Sequence, residues 1–394
     1  MAEGLRQSDH KPAIVGRVRR VVVKIGSAVL ADERGLDPDQ LERLSIEIAA
    51  LHGTGLAVTV VTSGAIAAGR SILGIGVPRS IPERQATAAV GQILLMSEYQ
   101  HRFARHGVTI AQILLDASDL ADRRRWLNAE HAVASLHSSR ILPIVNENDT
   151  VAVDELKFGD NDNLSAMVAN LVAADLLVIL SDVGGLFDAN PKNEPGARRI
   201  RVVARVDDAL LTLASGGSDL GTGGMRSKLL AAHKAAEAGI ATIVADGREA
   251  GTLARVLDPD GDVGTLFLPL ADSLARRKHW IAHTLKPAGE VHCDEGARNA
   301  VAAQGRSLLP SGIAAVSGRF EPGDCVRMVG PDGVEFARGL ASYGASEVAR
   351  IAGRRSNEVE RILGFQMGDA VVHRNDLVVT ASVERRESPS PKES

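Results

Sequence analysis

Between about residues 20 and 268, short β-branched runs alternate with longer segments of helical spacing, and nearly every apolar run stops at Gly, Ser, Thr, Asn or Asp. Val21-Val22-Val23-Lys24-Ile25 reads as a buried strand ending at Gly26-Ser27. Leu56 to Val61 is a second, ending at Thr62-Ser63-Gly64. Val108 to Leu115, Ile141 to Val145, Leu176 to Leu180 and Ile240 to Val244 continue the series. Leu41, Leu44, Ile48 and Leu51 lie one helical turn apart, as do Ala89, Ile93 and Met96, with Phe103 two turns further on. Aromatic residues make up only 3%, so the core must come from Ala, Val, Leu and Ile. These features predict an α/β fold with a mostly parallel sheet sandwiched by helices. In such sheets ligands bind outside the carboxyl ends of the strands, where the small and polar residues gather here.

After Pro269 the pattern changes. Residues 272–288 form a charged connector containing Pro287. Beyond it come short β-like runs with Gly turns: Gly312 to Val316, Cys325 to Val329 and Ala370 to His373, with a helical patch at Glu347 to Ile351. The expected organisation is a flexible arm over 1–18, a first domain over 19–271, the connector, a small β-rich domain over 289–381 and a disordered Ser/Pro/charge-rich tail over 382–394.

The two cysteines, Cys293 and Cys325, match no zinc spacing, so a reduced, cytoplasmic chain is expected. The first 20 residues lack an apolar signal region, and the longest apolar run, Leu171 to Leu180, is interrupted by Asp175 and too short for a bilayer. With 45 basic and 49 acidic residues, nothing forces a nucleic-acid partner. Residues 290–380 hold ten Arg and no Lys against twelve Asp and Glu, which argues against RNA binding there. His101, His106, His131 and His137 read as solvated helix-face residues.

Gly221-Thr222-Gly223-Gly224-Met225-Arg226-Ser227-Lys228 is neither a Walker loop nor G-x-G-x-x-G. Its glycines free backbone N–H groups to face an anion, the following helix adds a positive N-terminus, and Lys228 adds a mobile cation. By composition alone it serves equally as an ordinary Gly-rich helix start. Lys24 closes an apolar strand; it either snorkels to solvent or meets a phosphate over Gly26-Ser27. The small residues of Thr62-Ser63-Gly64-Ala65-Ile66-Ala67-Ala68-Gly69 either let a ligand touch the backbone or pack helix on sheet. Asn146-Glu147-Asn148-Asp149 and Asp160-Asn161-Asp162-Asn163 suit an amino group and a carboxylate of a small zwitterion. A calcium loop fails because Leu164 replaces the third oxygen ligand. The alternative is solvated turns with Asp162 as an N-cap. Ser181-Asp182 could face adenine, ribose or a Mg²⁺ water shell. No H-E-x-x-H, G-x-S-x-G or C-x-x-C motif occurs.

In this order, Val-Val-Lys24-Ile-Gly-Ser, Val-Thr-Ser63-Gly-Ala-Ile-Ala-Ala-Gly, Asn-Glu-Asn-Asp149, Gly-Asp-Asn161-Asp162-Asn, Ser181-Asp182 and Gly-Thr-Gly-Gly-Met-Arg-Ser-Lys228 resemble the amino-acid kinase family. They are most similar to its members that phosphorylate L-glutamate and carry a C-terminal PUA domain. The resemblance runs from Val21 to about Thr380, with Ser27 and Ser181 where many relatives have Thr and Arg226 at a variable position. It implies that Lys24 and Lys228 contact the transferring phosphoryl group and that Asp162 orients them. It implies that Ser63, Asp149 and Asn161 hold glutamate. Lys24, Ser181, Asp182, Thr222, Gly223, Gly224, Met225, Arg226, Ser227 and Lys228 would hold ATP, with Mg²⁺ carried by the nucleotide and no metal site of the protein's own. It further implies feedback inhibition by proline, a homo-oligomer, no membrane partner, and hand-off of a labile product to glutamyl phosphate reductase.

Overall fold

The computed structural model describes residues 10–32, 34–151, 161–191, 193–194, 196–215, 224–270 and 287–380. They divide into two units, one ending by Leu270 and one starting at Pro287, with the stretch 123–131 grouped with the second.

The first unit is built on an eight-stranded sheet. Its strands are β1 (Arg20–Ile25), β2 (Ala57–Val61), β3 (Ile110–Leu115), β4 (Leu142–Glu147), β5 (Leu176–Ser181), β6 (Val202–Val203), β7 (Ala241–Asp246) and β8 (Thr265–Phe267). The order across the sheet is β3-β4-β2-β1-β5-β7-β8-β6. All neighbours run parallel except β7 and β8. The expected mostly parallel sheet is therefore present, with one antiparallel step toward its edge. From β1 the chain moves to β2 on one side; from β5 it proceeds to β7 on the other. The carboxyl ends of β1 and β5 thus form the topological switch point, where open α/β sheets leave a crevice.

The central strands read as unbroken apolar runs because both faces are covered. Val21, Val22, Val23 and Ile25 of β1 and Leu176 through Leu180 of β5 are fully buried. The principal helices along this part of the chain are α1 (Pro38–Gly53), α2 (Ala65–Leu73), α3 (Ile81–Arg105), α4 (Arg123–Ser138), α5 (Asn161–Leu171) and α6 (Met225–Glu237). Asp37 caps α1 through the N–H groups of Asp39 and Gln40, and Ser80 with Glu83 forms a capping box on α3.

Three sequence readings are corrected. The arm expected over 1–18 is folded from residue 10: His10–Val15 is a helix, Val15 and Val18 are buried, and Lys11 donates to the carbonyls of Arg255 (2.9 Å) and Gly261. Apolar Val15 and Val18 lacked a periodic context in the sequence, which is why the segment read as an arm. His131 and His137 are half-buried rather than solvated, and His137 Nε2 lies 3.0 Å from Thr59 Oγ1. Burial lowers the pKa of both. His101 and His106 are exposed, as expected.

The third correction concerns the small residues after Ser63, which serve helix-on-helix packing. A Cβ on Gly91 of α3 would sit 1.8 Å from the Ala65 carbonyl oxygen, and one on Gly69 of α2 1.9 Å from that of Thr87. Gly91→Ala must force α2 and α3 apart. The expected loss is about 2 kcal/mol or more, read as a lower urea midpoint at constant slope. An unchanged midpoint would show that the helices part freely.

The second unit holds a five-stranded mixed sheet of β9 (Gly289–Cys293), β10 (Ile313–Gly318), β11 (Cys325–Val329), β12 (Glu335–Ala341) and β13 (Val372–Val379) in the order β10-β9-β11-β12-β13. Its core gathers Val291, Val326, Met328, Phe336, Tyr343, Val348 and Ile351. Tyr343 donates to the Gly368 carbonyl at 2.7 Å and accepts from the Met367 N–H at 2.8 Å. Cys293 and Cys325 are buried free thiols whose pKa burial raises. No helix among the described residues is long and apolar enough to cross a membrane.

Candidate active site

Lys24 is the penultimate residue of β1, level with Val61 of β2 and Ile179 of β5, so the chain delivers it to the switch point. It is only 5% exposed. It does not snorkel: its Nζ donates to Asp162 Oδ1 at 2.5 Å. Asp162 lies in the first turn of α5 and is 1% exposed. Its other oxygen, Oδ2, accepts from Lys228 Nζ at 3.2 Å and from Ser227 Oγ at 2.7 Å. Lys228 is itself buried, in the first turn of α6. Three segments far apart in sequence therefore meet on one carboxylate. Burial would raise the pKa of Asp162, but the charges of Lys24 and Lys228 outweigh it and hold it at about 2. The carboxylate is ionised at neutral pH and keeps two ammonium groups side by side in a water-poor crevice. The N-cap reading of Asp162 gives way to this pairing.

Gly26 follows Lys24 and Ile25 and caps a short helix, Ser27–Leu30; its N–H is bound by the Leu180 carbonyl at 3.1 Å. A Cβ there would lie 3.3 Å from Leu180 O and 3.6 Å from Lys24 Nζ. At the end of β5, Ser181 is buried and its Oγ donates to Asp182 Oδ1 at 3.2 Å, while Asp182 is exposed. Gly224 caps α6, and Met225, Arg226 and Ser227 form its first turn; Thr222 and Gly223 lie outside the described residues.

On the other side of Lys24, β2 leads into Thr62-Ser63-Gly64. Gly64 has φ 106°, a left-handed conformation that suits Gly and turns the chain sharply into α2. The Asn161 amide donates to Ser63 Oγ (2.8 Å), the Thr62 carbonyl (2.9 Å) and Asn146 Oδ1 (3.2 Å). Thr62 Oγ1 lies 2.8 Å from the hydroxyl of Tyr99, which is fully buried. Asp149 follows β4; burial pushes its carboxyl up to about 6. Ser63, Asn161, Asp162, Lys24, Ser227 and Lys228 thus form one connected group. Ser181 and Asp182 sit beside it on the neighbouring strand end, and Asp149 follows the strand that carries Asn146.

Two contributors carried no sequence signal. Gln92 of α3 accepts from Asn146 Nδ2 at 2.8 Å, and Tyr99 lies about two helical turns beyond it. Both sit in a long amphipathic helix, where a polar residue facing inward looks like any other.

The pattern of the amino acid kinase family matches residues 19–246, and that of the PUA domain matches residues 289–363. Glutamate 5-kinase of Geobacter sp. (strain M21) is 53% identical over 369 residues, covering 93% of this chain and 99% of that protein. The chain belongs to the glutamate 5-kinase branch of the amino acid kinase family. Glutamate 5-kinase of Geobacter sulfurreducens is 50% identical over 372 residues, covering 94% of this chain and all of the relative. Among solved structures, UMP kinase from Bacillus anthracis aligns over 64% of this chain and 96% of its own, with 18% identity and a TM-score of 0.46. The mostly parallel sheet with its helices is the kinase unit of the enzyme, and the five-stranded sheet beginning at Gly289 is its PUA unit.

Proposed function

We propose that the crevice at the carboxyl ends of β1, β2 and β5 carries the reaction of this family: transfer of the γ-phosphoryl group of ATP to the side-chain carboxylate of L-glutamate, the first step of proline biosynthesis. The observation that supports this assignment most is the Lys24–Asp162–Lys228 cluster. A glutamate side chain in water has a pKa of about 4.3, so the nucleophile is already ionised at neutral pH and no general base is required. The task is to bring two anions together and to stabilise charge on the equatorial oxygens of the transferring group. Lys24 and Lys228 do this from fixed positions, because Asp162 holds their ammonium groups before substrate arrives and Ser227 steadies the same carboxylate.

Ser63, Asn161 and Asp149 hold glutamate on the β2/β4 side. Ser181, Asp182 and the segment from Thr222 to Lys228 hold ATP on the β5/α6 side. The carboxylate of Asp162 is already engaged by two lysines and a hydroxyl, and Asp182 is exposed, which fits a cation that arrives on the nucleotide. Asp182 would face the Mg²⁺ that ATP carries, and the ion would neutralise charge between the phosphates. Proline shares the α-amino and α-carboxylate groups of glutamate without a nucleophile, so it competes with glutamate. In the cytoplasm the labile acyl phosphate passes to glutamyl phosphate reductase, and the enzyme acts as a homo-oligomer.

The test is ADP release with MgATP over glutamate, aspartate and acetylglutamate, with hydroxylamine trapping the acyl phosphate. Glutamate-dependent hydroxamate is the expected product. Equal or better turnover of aspartate would overturn the substrate assignment.

A further inference from the structure

The amides around the glutamate side form a chain whose orientation is set from its ends. The backbone N–H of Glu147, which can only donate, lies 2.9 Å from Asn146 Oδ1. Asn146 must therefore present Oδ1 there and turn Nδ2 the other way, toward Gln92 Oε1 at 2.8 Å. At the far end, the Thr62 carbonyl can only accept, so the atom of Asn161 that lies 2.9 Å from it is the amide nitrogen. That nitrogen also reaches Asn146 Oδ1 and Ser63 Oγ. Asn161 Oδ1 is then left enclosed with no partner among the described residues, as is Gln92 Nε2. An enclosed amide oxygen without a donor is costly, so it marks a place where a ligand donor completes the bond.

We infer that Gln92 is a positioning residue for the substrate: the Glu147 N–H and the Thr62 carbonyl set the sense of the amides, and Gln92, by accepting from Asn146 Nδ2, anchors Asn146 against Asn161 so that Asn161 Oδ1 is held as acceptor to the α-ammonium of glutamate. The reverse sense would meet an ammonium with an N–H donor. Gln92 thereby contributes to the choice of an amino acid over a plain dicarboxylate while acting only through Asn146 and Asn161. This inference rests on the assignment of Asn161 to glutamate binding.

The experiment measures KM and kcat for glutamate and ATP in Gln92→Met, Asn161→Ala and the double variant, with thermal midpoints alongside. Gln92→Met keeps volume and flexibility but offers no strong acceptor. Its glutamate KM should rise about tenfold, with KM for ATP and the midpoint little changed. In the Asn161→Ala background the same change should add less than about twofold, because the residue it acts through is gone. An unchanged glutamate KM in Gln92→Met, or a full tenfold effect added to Asn161→Ala, overturns the inference. An unchanged glutamate KM in Asn161→Ala instead overturns the underlying substrate assignment. Should Gln92→Met not fold, Gln92→Glu decides: it retains an acceptor for Asn146, so its glutamate KM should stay within about threefold of the parent, and a tenfold rise sinks the relay.

Discussion

Replacing either Lys24 or Lys228 by Met is expected to lower kcat by about 10²–10³ or more while leaving a folded protein. The magnitude follows from fixed donors aimed at developing charge, whose removal costs roughly 3 kcal/mol of transition-state stabilisation each. The survival of the fold follows from the geometry of Asp162. A buried carboxylate stripped of its partner is strongly destabilising. Here the loss of one lysine leaves the other, together with Ser227, on the same carboxylate. Asp162→Asn is the instructive contrast, because it leaves two buried ammonium groups facing each other without the carboxylate between them. It should lose both kcat and stability. The stability provided by Asp162 has a definite pH window: with a folded pKa of about 2 below its usual 3.8, it is fully present above pH 3.8 and is lost as pH falls through 2. Single-turnover rates and urea midpoints across the three variants check these expectations. A kcat near that of the parent in either lysine variant would remove that lysine from the chemistry.

Asp149→Asn should weaken glutamate by about two orders of magnitude and yet stabilise the ligand-free protein at pH 7. The carboxyl sits where burial raises its pKa from 3.8 to about 6. A raised folded pKa in an acid means that ionisation opposes folding. The cost is absent below about pH 4, grows between there and about pH 6, and is complete above that, at about 3 kcal/mol or less. Asn carries no such cost. The stability gap between Asp149→Asn and the parent should therefore open over that interval and close when saturating glutamate supplies its ammonium group to the parent. For the same reason glutamate KM in the parent should climb as pH drops below about 6, since a neutral Asp149 no longer pairs with the ammonium. Loss of a buried charge-assisted hydrogen bond accounts for the affinity loss, at about 2–5 kcal/mol. A shift in KM for ATP rather than for glutamate would place Asp149 at the wrong end of the site. A lower midpoint for Asp149→Asn at pH 7 would show that its charge is already satisfied in the ligand-free enzyme.

The strands of the kinase unit were legible because their information is local. A β-branched run bounded by Gly, Ser or Asn specifies a buried strand and its end, and the observed β1, β2, β4, β5 and β7 lie within a residue or two of where the runs place them. The carboxyl-end polar residues were legible for the same reason, since a strand with both faces covered has only its end left for chemistry. Short or interrupted elements were not. β6 spans two residues, β8 three, and β12 carries Arg338 and Gly339 in its middle. What no local pattern contains is pairing across the chain. Lys24 lies 138 positions from Asp162, and Lys228 lies 66 beyond it. Only the sheet order, which sets β1 beside β5 with α5 and α6 starting nearby, decides that one carboxylate receives both. The same holds for the pKa of Asp149, which depends on how much water the folded chain excludes, and for Gln92, whose role exists only because α3 brings its amide against β4. Sequence by itself determined which residue types end the strands and hence the class of chemistry. Tertiary packing decided which of them share a charge, a proton or an amide, because electrostatic and hydrogen-bond energies depend on distances and burial that exist only once the sheet has formed.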